Sequence, residues 1–273
     1  MSLISVRDLT VSFPTREGWV DVVRDVSFDL GRERLGIVGE SGSGKSQTGR
    51  ALLGLTPPPG RARAERLDFD GQDLRRATAR DWRAIRGRRI AMVMQDPKYS
   101  LNPVMTIGAQ MREAGRIAGV ADPASTAHRT LEAVQIRDAD RVLGAYPHEL
   151  SGGMGQRAMI AMMLMAEPEV LIADEPTSAL DVTVQVEVLR ILDDLVRDRG
   201  MGLVFISHDL RLVSTFCDRV LVMYAGKVVE ELAAADLDRA KHPYTRGLLN
   251  CLPRLDREPG PLPTLDRQEE WAL

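Results

Sequence analysis

"LGIVGESGSGKS", residues 35–46, is the segment of this 273-residue chain from which its fold is predicted most directly. Its first five residues form a short, continuous apolar run, which is typical of a parallel strand buried on both faces. The rest matches G-x-x-x-x-G-K-[ST], in which glycines let the backbone curl so that its N–H groups face phosphate oxygens. A helical pattern follows from about Lys45 and adds the positive end of its dipole. This order predicts an α/β fold with a nucleotide-binding loop.

The loop supplies most of the candidate ligands for a nucleotide. We expect Lys45 to meet the β- and γ-phosphates and Ser46 to bind Mg²⁺. Only four of the 36 basic residues are lysines, so Lys45 stands out. A chance glycine-rich turn is the alternative, and the strand before and the helix after make it remote. The predicted phosphate-binding residues are Gly39, Glu40, Ser41, Gly42, Ser43, Gly44, Lys45, Ser46 and Gln47.

Three more apolar runs indicate buried strands. They are "IAMVMQ" (90–95), "VLIAD" (170–174) and "LVFISH" (203–208), and helical patterns such as 45–55 and 183–199 lie between them. Strands that alternate with helices predict an α/β protein with a mostly parallel sheet. With the G-x-x-x-x-G-K-[ST] motif, this pattern resembles a RecA-like P-loop NTPase core. The alternative, that some runs are pieces of helix, is weak because each has only four to six residues.

A second kind of strand pattern opens the chain. Residues 4–13 and 21–30, "ISVRDLTVSF" and "DVVRDVSFDL", alternate apolar and polar residues as half-buried antiparallel strands do. Residues 220–231, "VLVMYAGKVVEE", indicate a hairpin that turns at Ala225 and Gly226. We therefore expect an antiparallel β layer beside the parallel core.

The strand patterns stop between about residues 100 and 150, where amphipathic helical segments predict an inserted helical subdomain. After residue 252 four prolines predict an extended or mobile tail. The predicted organisation is 1–98 for the N-terminal part of the catalytic core, with the antiparallel layer and the glycine-rich loop; 99–158 for the helical subdomain; 159–235 for the C-terminal part of the core; and 236–273 for a partly mobile C-terminal extension.

Composition places limits on partners and compartment. With 44% hydrophobic and 27% charged residues, the chain has the composition of a soluble globular protein, and a net charge of −3 gives no bias toward nucleic acid. Two cysteines, Cys217 and Cys251, fit a reducing compartment. The start "MSLISVRDLT" lacks the apolar core of a signal peptide, and "AMIAMMLMA" (158–166) is too short to span a membrane. We therefore expect any membrane attachment to come through a partner.

Each predicted parallel strand ends in a residue suited to nucleotide chemistry. These residues are Gly39, Gln95, Asp174 and His208. In open parallel sheets ligands bind beyond the carboxyl ends of the strands. One shared site is therefore predicted.

The side chains at these ends have distinct expected roles. Asp174 would hold Mg²⁺ through its water shell, and Glu175 would polarise the attacking water, either as a full base or by orienting it. Gln95 is a candidate contact to Mg²⁺ and the water, although a glutamine at a strand end is more often solvated. His208 is a candidate contact to the γ-phosphate, although a lone histidine is usually structural or solvated.

Two aromatic residues are candidates for stacking on adenine. Phe13 is the first, with ordinary core packing as a serious alternative, and Trp19 is the second.

A second candidate anion cradle lies in "ELSGGMGQR", residues 149–157. A serine, two glycines and the start of a helix combine a hydroxyl, close backbone approach and a helix dipole. The alternative is an ordinary helix N-cap.

Taken together, the motifs resemble those of the ABC-type ATPases in kind and in order. "GESGSGKS", Gln95, "LSGGMGQR", "VLIADEP", "SALD" and His208 carry the resemblance, which covers residues 3–250. It implies that "LSGGMGQR" is a signature motif, which serves the ATP of a second subunit through Ser151, Gly152, Gly153 and Gln156. It also implies that ATP joins two head-to-tail subunits, with Asp181 at their interface.

A narrower resemblance is to the D-type ATPases of the oligopeptide, dipeptide and nickel importers. It rests on "GESGSGKSQT", "QDPKYSLNPVMTIG", "LSGGMGQRAMIA" and "KHPYTRGLL" (241–249). It implies an F-type ATPase partner in a heterodimer, and Met154 in place of the usual F-type glutamine agrees with this. It further implies two membrane permeases, an extracytoplasmic substrate-binding protein and a peripheral location on the cytoplasmic face of the bacterial inner membrane. The permeases would dock on residues 96–116, with Tyr99 and Leu101 as candidate contacts.

Two departures from that narrower family stand out. Many D-type members have a cysteine-bearing segment near the C-terminus, whereas this sequence has only Cys251 in that region. We therefore predict no iron–sulfur cluster. Gly155 stands where the family often has Arg or Lys, which would alter the partner interface.

The expected function is thus that of an ATP-hydrolysing motor for an importer of peptides, with nickel chelates, opines or glycosides as alternative cargoes. One alternative is a soluble ABC-type ATPase in repair or translation, but the chain lacks the long coiled coils, zinc motifs or tandem cassettes of those proteins. A second alternative is a silent subunit that binds ATP only to assemble, against which Lys45, Glu175 and His208 argue. A monomeric P-loop kinase would have no use for the signature motif.

Overall fold

The computed structural model describes residues 2–178 and 180–252 together with Gln268 and Trp271, with side chains at all of these except residues 98 and 99. The chain forms two compact units. The first unit contains residues 1–76 and 205–273, and the second contains residues 77–204. The domain boundaries expected at residues 98, 158 and 235 stay a prediction. The predicted tail after residue 252 lies outside the described residues apart from Gln268 and Trp271.

An antiparallel sheet forms one layer of the first unit. Strands β1 (Ile4–Thr15) and β2 (Gly18–Leu30) pair antiparallel, as their alternating pattern predicts. The alternation brings Val6 and Phe28 opposite each other as buried partners, while intervening residues face outward. The short strands β4 (Arg61–Arg63), β5 (Arg66–Phe69) and β6 (Gln72–Asp73) extend this layer.

The parallel sheet of the first unit carries the glycine-rich loop. Strand β3 (Arg34–Val38) pairs in parallel with β10 (Arg219–Tyr224), and β10 pairs antiparallel with β11 (Lys227–Ala233). The strand β9 (Gly202–Ser207) begins in the second unit and ends in the first, where the strand order is β11-β10-β3-β9. Helices α1 (Lys45–Leu52), α9 (Leu210–Phe216) and α10 (Pro243–Asn250) belong to the same unit.

The predicted hairpin at the end of this sheet is confirmed. Ala225 and Gly226 join β10 to β11 with φ values of 46° and 88°. Two consecutive residues with positive φ suit the tight turn of a two-residue hairpin.

In the second unit the strand order is β9-β8-β7, with β7 (Ile90–Val93) parallel to β8 (Val170–Asp174). Every residue of β7 and β8 is buried, which explains their continuous apolar sequences. Each large apolar side chain of this kind contributes about 1.5–3 kcal/mol when it is removed from water. The four predicted strands are therefore confirmed as β3, β7, β8 and β9, although β7 ends two residues before Gln95.

Helices make up the rest of the second unit. Helices α4, α5 and α7 pack on one another, and side-chain caps at Thr106, Asp122, Asp138, Ser151 and Asp181 begin α4 to α8. None of the helices in the described part of the chain is long and apolar enough to cross a membrane. The bounds are α2 (Ala79–Ile85), α3 (Pro97–Ser100), α4 (Ile107–Ala118), α5 (Pro123–Ala133), α6 (Ala139–Gly144), α7 (Gly152–Met163) and α8 (Val182–Arg199).

Candidate functional site

The glycine-rich loop of the first unit links the end of β3 to the start of α1. Gly39, Gly42 and Gly44 have φ values of 153°, 84° and 99°, which side-chain-bearing residues rarely adopt. A Cβ at Gly39 would lie 2.1 Å from the Met223 carbonyl oxygen, so the backbone itself closes the space. The loop conformation therefore depends on glycine, as expected for a loop whose N–H groups must converge on an anion.

Lys45 is folded into this loop and is 5% exposed. Its ammonium group donates hydrogen bonds of 2.8 Å to the carbonyl oxygens of Gly39 and Glu40. The positive charge thus lies inside the loop at the N-terminus of α1, where the helix dipole also favours an anion. The predicted phosphate cradle fits this geometry.

His208 follows β9 in the same unit. Its side chain is exposed, and Asp209 beside it accepts hydrogen bonds from Arg211 and Leu212 to cap α9. The cap fixes the backbone that presents His208. Its contact with a γ-phosphate stays a prediction.

The second unit brings Gln95 and Glu175 together. Because β7 and β8 pair in parallel, with Val93 opposite Ala173, the residues that follow the two strands are neighbours. The Gln95 side-chain amide donates a 3.0 Å hydrogen bond to Glu175 Oε2. Asp174, the last residue of β8, is 4% exposed.

Glu175 adopts an uncommon backbone conformation. Its φ is 47°, in the left-handed region that costs a residue with a Cβ roughly 1–2 kcal/mol. Strain of this kind is concentrated at functional sites, where surrounding contacts maintain it. The sequence places a glutamate after the strand, and the structure adds that its carboxylate is turned toward Gln95.

The second candidate anion cradle begins at Ser151. This residue is the N-cap of α7, and its hydroxyl accepts a hydrogen bond from the Met154 N–H across 3.4 Å. Ser151 and Gly152 are exposed. Gly153 lies against α8, where an added Cβ would meet Val184 Cγ1 at 2.5 Å. The N-terminus of α7 therefore combines exposed backbone, a hydroxyl and close helix packing.

Gln156 lies further along the same helix. Its side chain is 2% exposed, and its Nε2 atom has no hydrogen-bond partner. Five residues after Ser151, the 3.6-residue helical period turns Gln156 away from the exposed face. It therefore does not share an exposed surface with Ser151 and Gly152, and its contact with a partner's ATP stays a prediction.

Asp181 lies at the start of α8 and is exposed while its carboxylate caps the helix at Val184 N–H. The same end of α8 exposes two apolar side chains, Val182 at 78% and Val186 at 59%. An interface role for Asp181 stays a prediction.

Neither candidate stacking residue is buried in the core. Phe13 is half-buried and lies against Gly60, where an added Cβ would be 2.4 Å from the ring. Trp19 is exposed, and the Arg61 guanidinium lies 4.3 Å from its ring centroid. Phe13 is therefore not a core residue, which disfavours the core-packing alternative.

The segment expected to meet the permeases is held by Gln110. Its side chain donates to the carbonyl oxygens of Asn102 and Met105 and accepts from the Asn102 N–H. Leu101 is 4% exposed and packs inward, and its docking role stays a prediction. Val104 is the exposed apolar residue of this segment, and the Tyr99 side chain lies outside the described ones.

These features define a class of protein: a P-loop nucleotide-binding protein with a mostly parallel α/β core. The profile of the family described as ABC transporter matches residues 23–178. The chain is 46% identical to the probable peptide ABC transporter ATP-binding protein y4tR of Sinorhizobium fredii, covering 96% of this chain and 83% of that protein. It is also 46% identical to the oligopeptide transport ATP-binding protein OppD of Salmonella typhimurium, covering 94% of this chain and 78% of that protein. The chain therefore belongs to the ABC transporter family.

Solved structures agree on the fold. The dimeric ATP-binding cassette MJ0796, in a post-hydrolysis state bound to ADP and Pi, is similar with a TM-score of 0.76 and 23% identity. The match covers 85% of this chain and 98% of that one. The ABC ATPase fold predicted from the motifs is confirmed.

Proposed function

We propose that the chain is the ATP-hydrolysing motor subunit of a bacterial importer for peptides or a related small solute. The observation that carries the proposal is the presence of two anion cradles in one chain: the loop around Lys45 and the exposed, capped start of α7 at Ser151. A chain that binds one nucleotide needs only the first cradle. Two cradles are useful when paired subunits each contribute one to a shared nucleotide.

The first cradle is assigned to the phosphates of ATP. Backbone N–H groups of residues 41–47 and the Lys45 ammonium would bind the phosphate oxygens. Ser46, Gln95 and Asp174 would hold Mg²⁺, because hydroxyl, carboxamide and carboxylate oxygens are the donors that this hard cation prefers. The ion would neutralise the charge on the phosphates. Phe13 remains a candidate for the adenine ring, with Trp19 as the second.

Glu175 is assigned to the attacking water. Its carboxylate accepts a hydrogen bond from Gln95, which restricts the orientation of the carboxylate. A water bound there would be polarised for attack on the γ-phosphate. His208 would donate to that phosphate from the end of β9.

The second cradle is assigned to the ATP of a partner ATPase. Ser151, Gly152 and Gly153 would bind its γ-phosphate, and Asp181 would lie at the interface. The relatives are named as ATP-binding proteins of peptide and oligopeptide transport, which supports a subunit of a peptide transporter. Its proposed partners are an F-type ATPase, two permeases and an extracytoplasmic binding protein. The subunit would lie peripherally on the cytoplasmic face of the inner membrane. The same names disfavour a role in repair or translation.

The test is solute uptake in cells in which the chain is replaced by a variant. Glu175→Gln is expected to abolish uptake of labelled peptides, whereas Glu167→Gln is expected to preserve it. Glu167 is a suitable control because it is an exposed glutamate that also has a positive φ, 51°. Normal peptide uptake with lost uptake of nickel chelates, opines or glycosides would overturn the peptide assignment. Unchanged uptake of all four would overturn the importer role.

A further inference from the structure

We propose that Tyr244 is a positioning residue for the phosphate-binding loop. Its hydroxyl oxygen accepts a 3.1 Å hydrogen bond from the backbone N–H of Glu40, which is the second residue of that loop. The Tyr244 side chain is fully buried, at 0% exposure. Tyr244 belongs to the motif "KHPYTRGLL" (241–249), which has no role in the proposed ATP hydrolysis. The hydrogen bond to Glu40 gives this motif a role in supporting the loop. The inference rests on the proposed binding of ATP by the loop.

Local hydrogen bonds place Tyr244 with little freedom. His242 is the N-cap of α10, and its Nδ1 accepts from the Tyr244 N–H across 3.2 Å. Pro243 occupies the first helical position, where its fixed φ suits a helix. Glu230 Oε1 accepts from the backbone N–H groups of Lys241 and His242, so β11 holds the start of α10.

The Glu230 carboxylate is suited to this task. Burial acts to raise the pKa of Glu230, but hydrogen bonds from its neighbours outweigh burial and leave the pKa below its ordinary value. The carboxylate therefore stays ionised at neutral pH and accepts strongly from the two N–H groups.

Aromatic packing fixes the ring of Tyr244. The Tyr224 ring lies 4.5 Å away between centroids, and the Trp271 ring lies 6.0 Å away. Tyr224 ends β10, the strand that pairs in parallel with β3, which leads into the loop. The hydroxyl of Tyr244 is thus supported by the same sheet that carries the loop.

Both backbone polar groups of Glu40 are hydrogen-bonded. Tyr244 accepts from its N–H, while Lys45 donates to its carbonyl oxygen across 2.8 Å. Lys45 is also the residue expected to move onto phosphate. The bond to Tyr244 involves no predicted phosphate ligand side chain, so it remains when Lys45 turns to a nucleotide. Loss of the hydroxyl would remove a hydrogen bond from the partly buried Glu40 N–H and loosen the loop.

The direct test compares Tyr244→Phe with Tyr224→Phe in the full chain. Each variant removes one hydroxyl from the same aromatic cluster, and the hydroxyl of Tyr244 is the one that accepts from the Glu40 N–H. Tyr244→Phe is expected to raise the Kd for Mg-ATP about tenfold, because the loop loses the hydrogen bond between the Glu40 N–H and the Tyr244 hydroxyl. Tyr224→Phe is expected to leave the Kd within about twofold of the wild type. Equal Kd values for the two variants would overturn the inference.

Amide hydrogen exchange measured by NMR reports on the Glu40 N–H itself, whereas Tm reports on the stability of the whole protein. The Glu40 amide should exchange slowly in the wild type and about tenfold faster in Tyr244→Phe, with no change in Tyr224→Phe. A lowered Tm with unchanged Kd and unchanged Glu40 exchange would show a merely structural role. If Tyr244→Phe does not fold, the exchange rate of the Glu40 amide in the wild type still tests the inference. A wild-type Glu40 amide that exchanges as fast as in an unstructured peptide would overturn it. Failure of the wild type to bind Mg-ATP would instead refute the proposed function.

Discussion

The Gln95 side-chain amide lies 3.0 Å from the Glu175 carboxylate and donates a hydrogen bond to it. The two residues are 80 positions apart in the sequence and follow neighbouring parallel strands. One side chain that is expected to contact Mg²⁺ and water therefore also orients the carboxylate that is expected to polarise that water.

Gln95→Ala is expected to lower kcat for ATP hydrolysis by the assembled transporter about 10- to 100-fold, because Glu175 loses the donor that orients it. The affinity for ATP should change much less, since the phosphate cradle lies in the loop around Lys45. Steady-state phosphate release and equilibrium nucleotide binding separate the two effects. A tenfold loss of ATP affinity with unchanged kcat would contradict the assigned role.

Glu175→Gln is expected to reduce hydrolysis at least about 100-fold while ATP still binds, because the amide cannot accept a proton or polarise water as a carboxylate does. ATP should then accumulate in a closed ATPase dimer, which size-exclusion chromatography with Mg-ATP detects. Glu167→Gln is the matched control and should hydrolyse ATP at the wild-type rate. Hydrolysis by Glu175→Gln at that rate would show that another group activates the water.

Gly39→Ala is expected to abolish measurable nucleotide binding. The new methyl group would meet the Met223 carbonyl oxygen at 2.1 Å, so the loop must shift. Gly18→Ala separates this clash from backbone strain, because Gly18 has a φ of 132° and nothing within 4 Å of its Cβ position. The control should lose only about 1 kcal/mol of stability and bind ATP normally. Calorimetric titration with ATP, together with thermal unfolding, measures both quantities.

Ser151→Ala is expected to weaken ATP-dependent pairing of the ATPases. The change also removes a helix N-cap, which costs roughly 1 kcal/mol of stability. Thr106→Ala is the control for that cost, because Thr106 caps α4 in the same unit through the Ala109 N–H. Both variants should lower Tm by similar amounts, and only Ser151→Ala should reduce the dimer fraction measured by sedimentation with ATP. Equal dimer fractions in Ser151→Ala and Thr106→Ala would show that Ser151 acts only as a helix N-cap.

Asp218→Asn is expected to lower the free energy of unfolding at pH 7 by about 1 kcal/mol, discounted for solvent screening because the pair is partly exposed. The side-chain hydrogen bond from Arg34 holds the pKa of Asp218 below its ordinary 3.8, and the Arg34 backbone N–H donates to the same carboxylate. A lowered pKa means that this stability exists above about pH 4 and is lost as the pH falls through the folded-state value.

Urea unfolding at pH 7 and at pH 3 measures the Asp218 contribution. The difference between wild type and Asp218→Asn should shrink at the lower pH. Asp238→Asn, a change at an exposed aspartate on the same unit, should alter stability by less than about 0.5 kcal/mol at either pH. A difference that grew toward pH 3 would contradict the assigned cause.

Local patterns in the sequence were sufficient for the strand–loop–helix unit at residues 35–52, the hairpin turn at Ala225 and the cap at Ser151. Each depends on residues close together in the chain, through glycine conformations, apolar periodicity or a side chain that reaches a nearby N–H. For the same reason the sequence alone determined that Asp174 ends a buried strand and that Glu175 follows it.

Tertiary packing decided which of these side chains face solvent and which distant residues meet. Gln156 and Leu101 are buried although their motifs suggested contact with partners, because the packing of a helix or loop selects the face that it covers. The Gln95–Glu175 contact requires two strands to pair in register. The contact of Tyr244 with Glu40 spans 204 positions, and only the placement of α10 by β11 and the aromatic rings brings that hydroxyl to the loop.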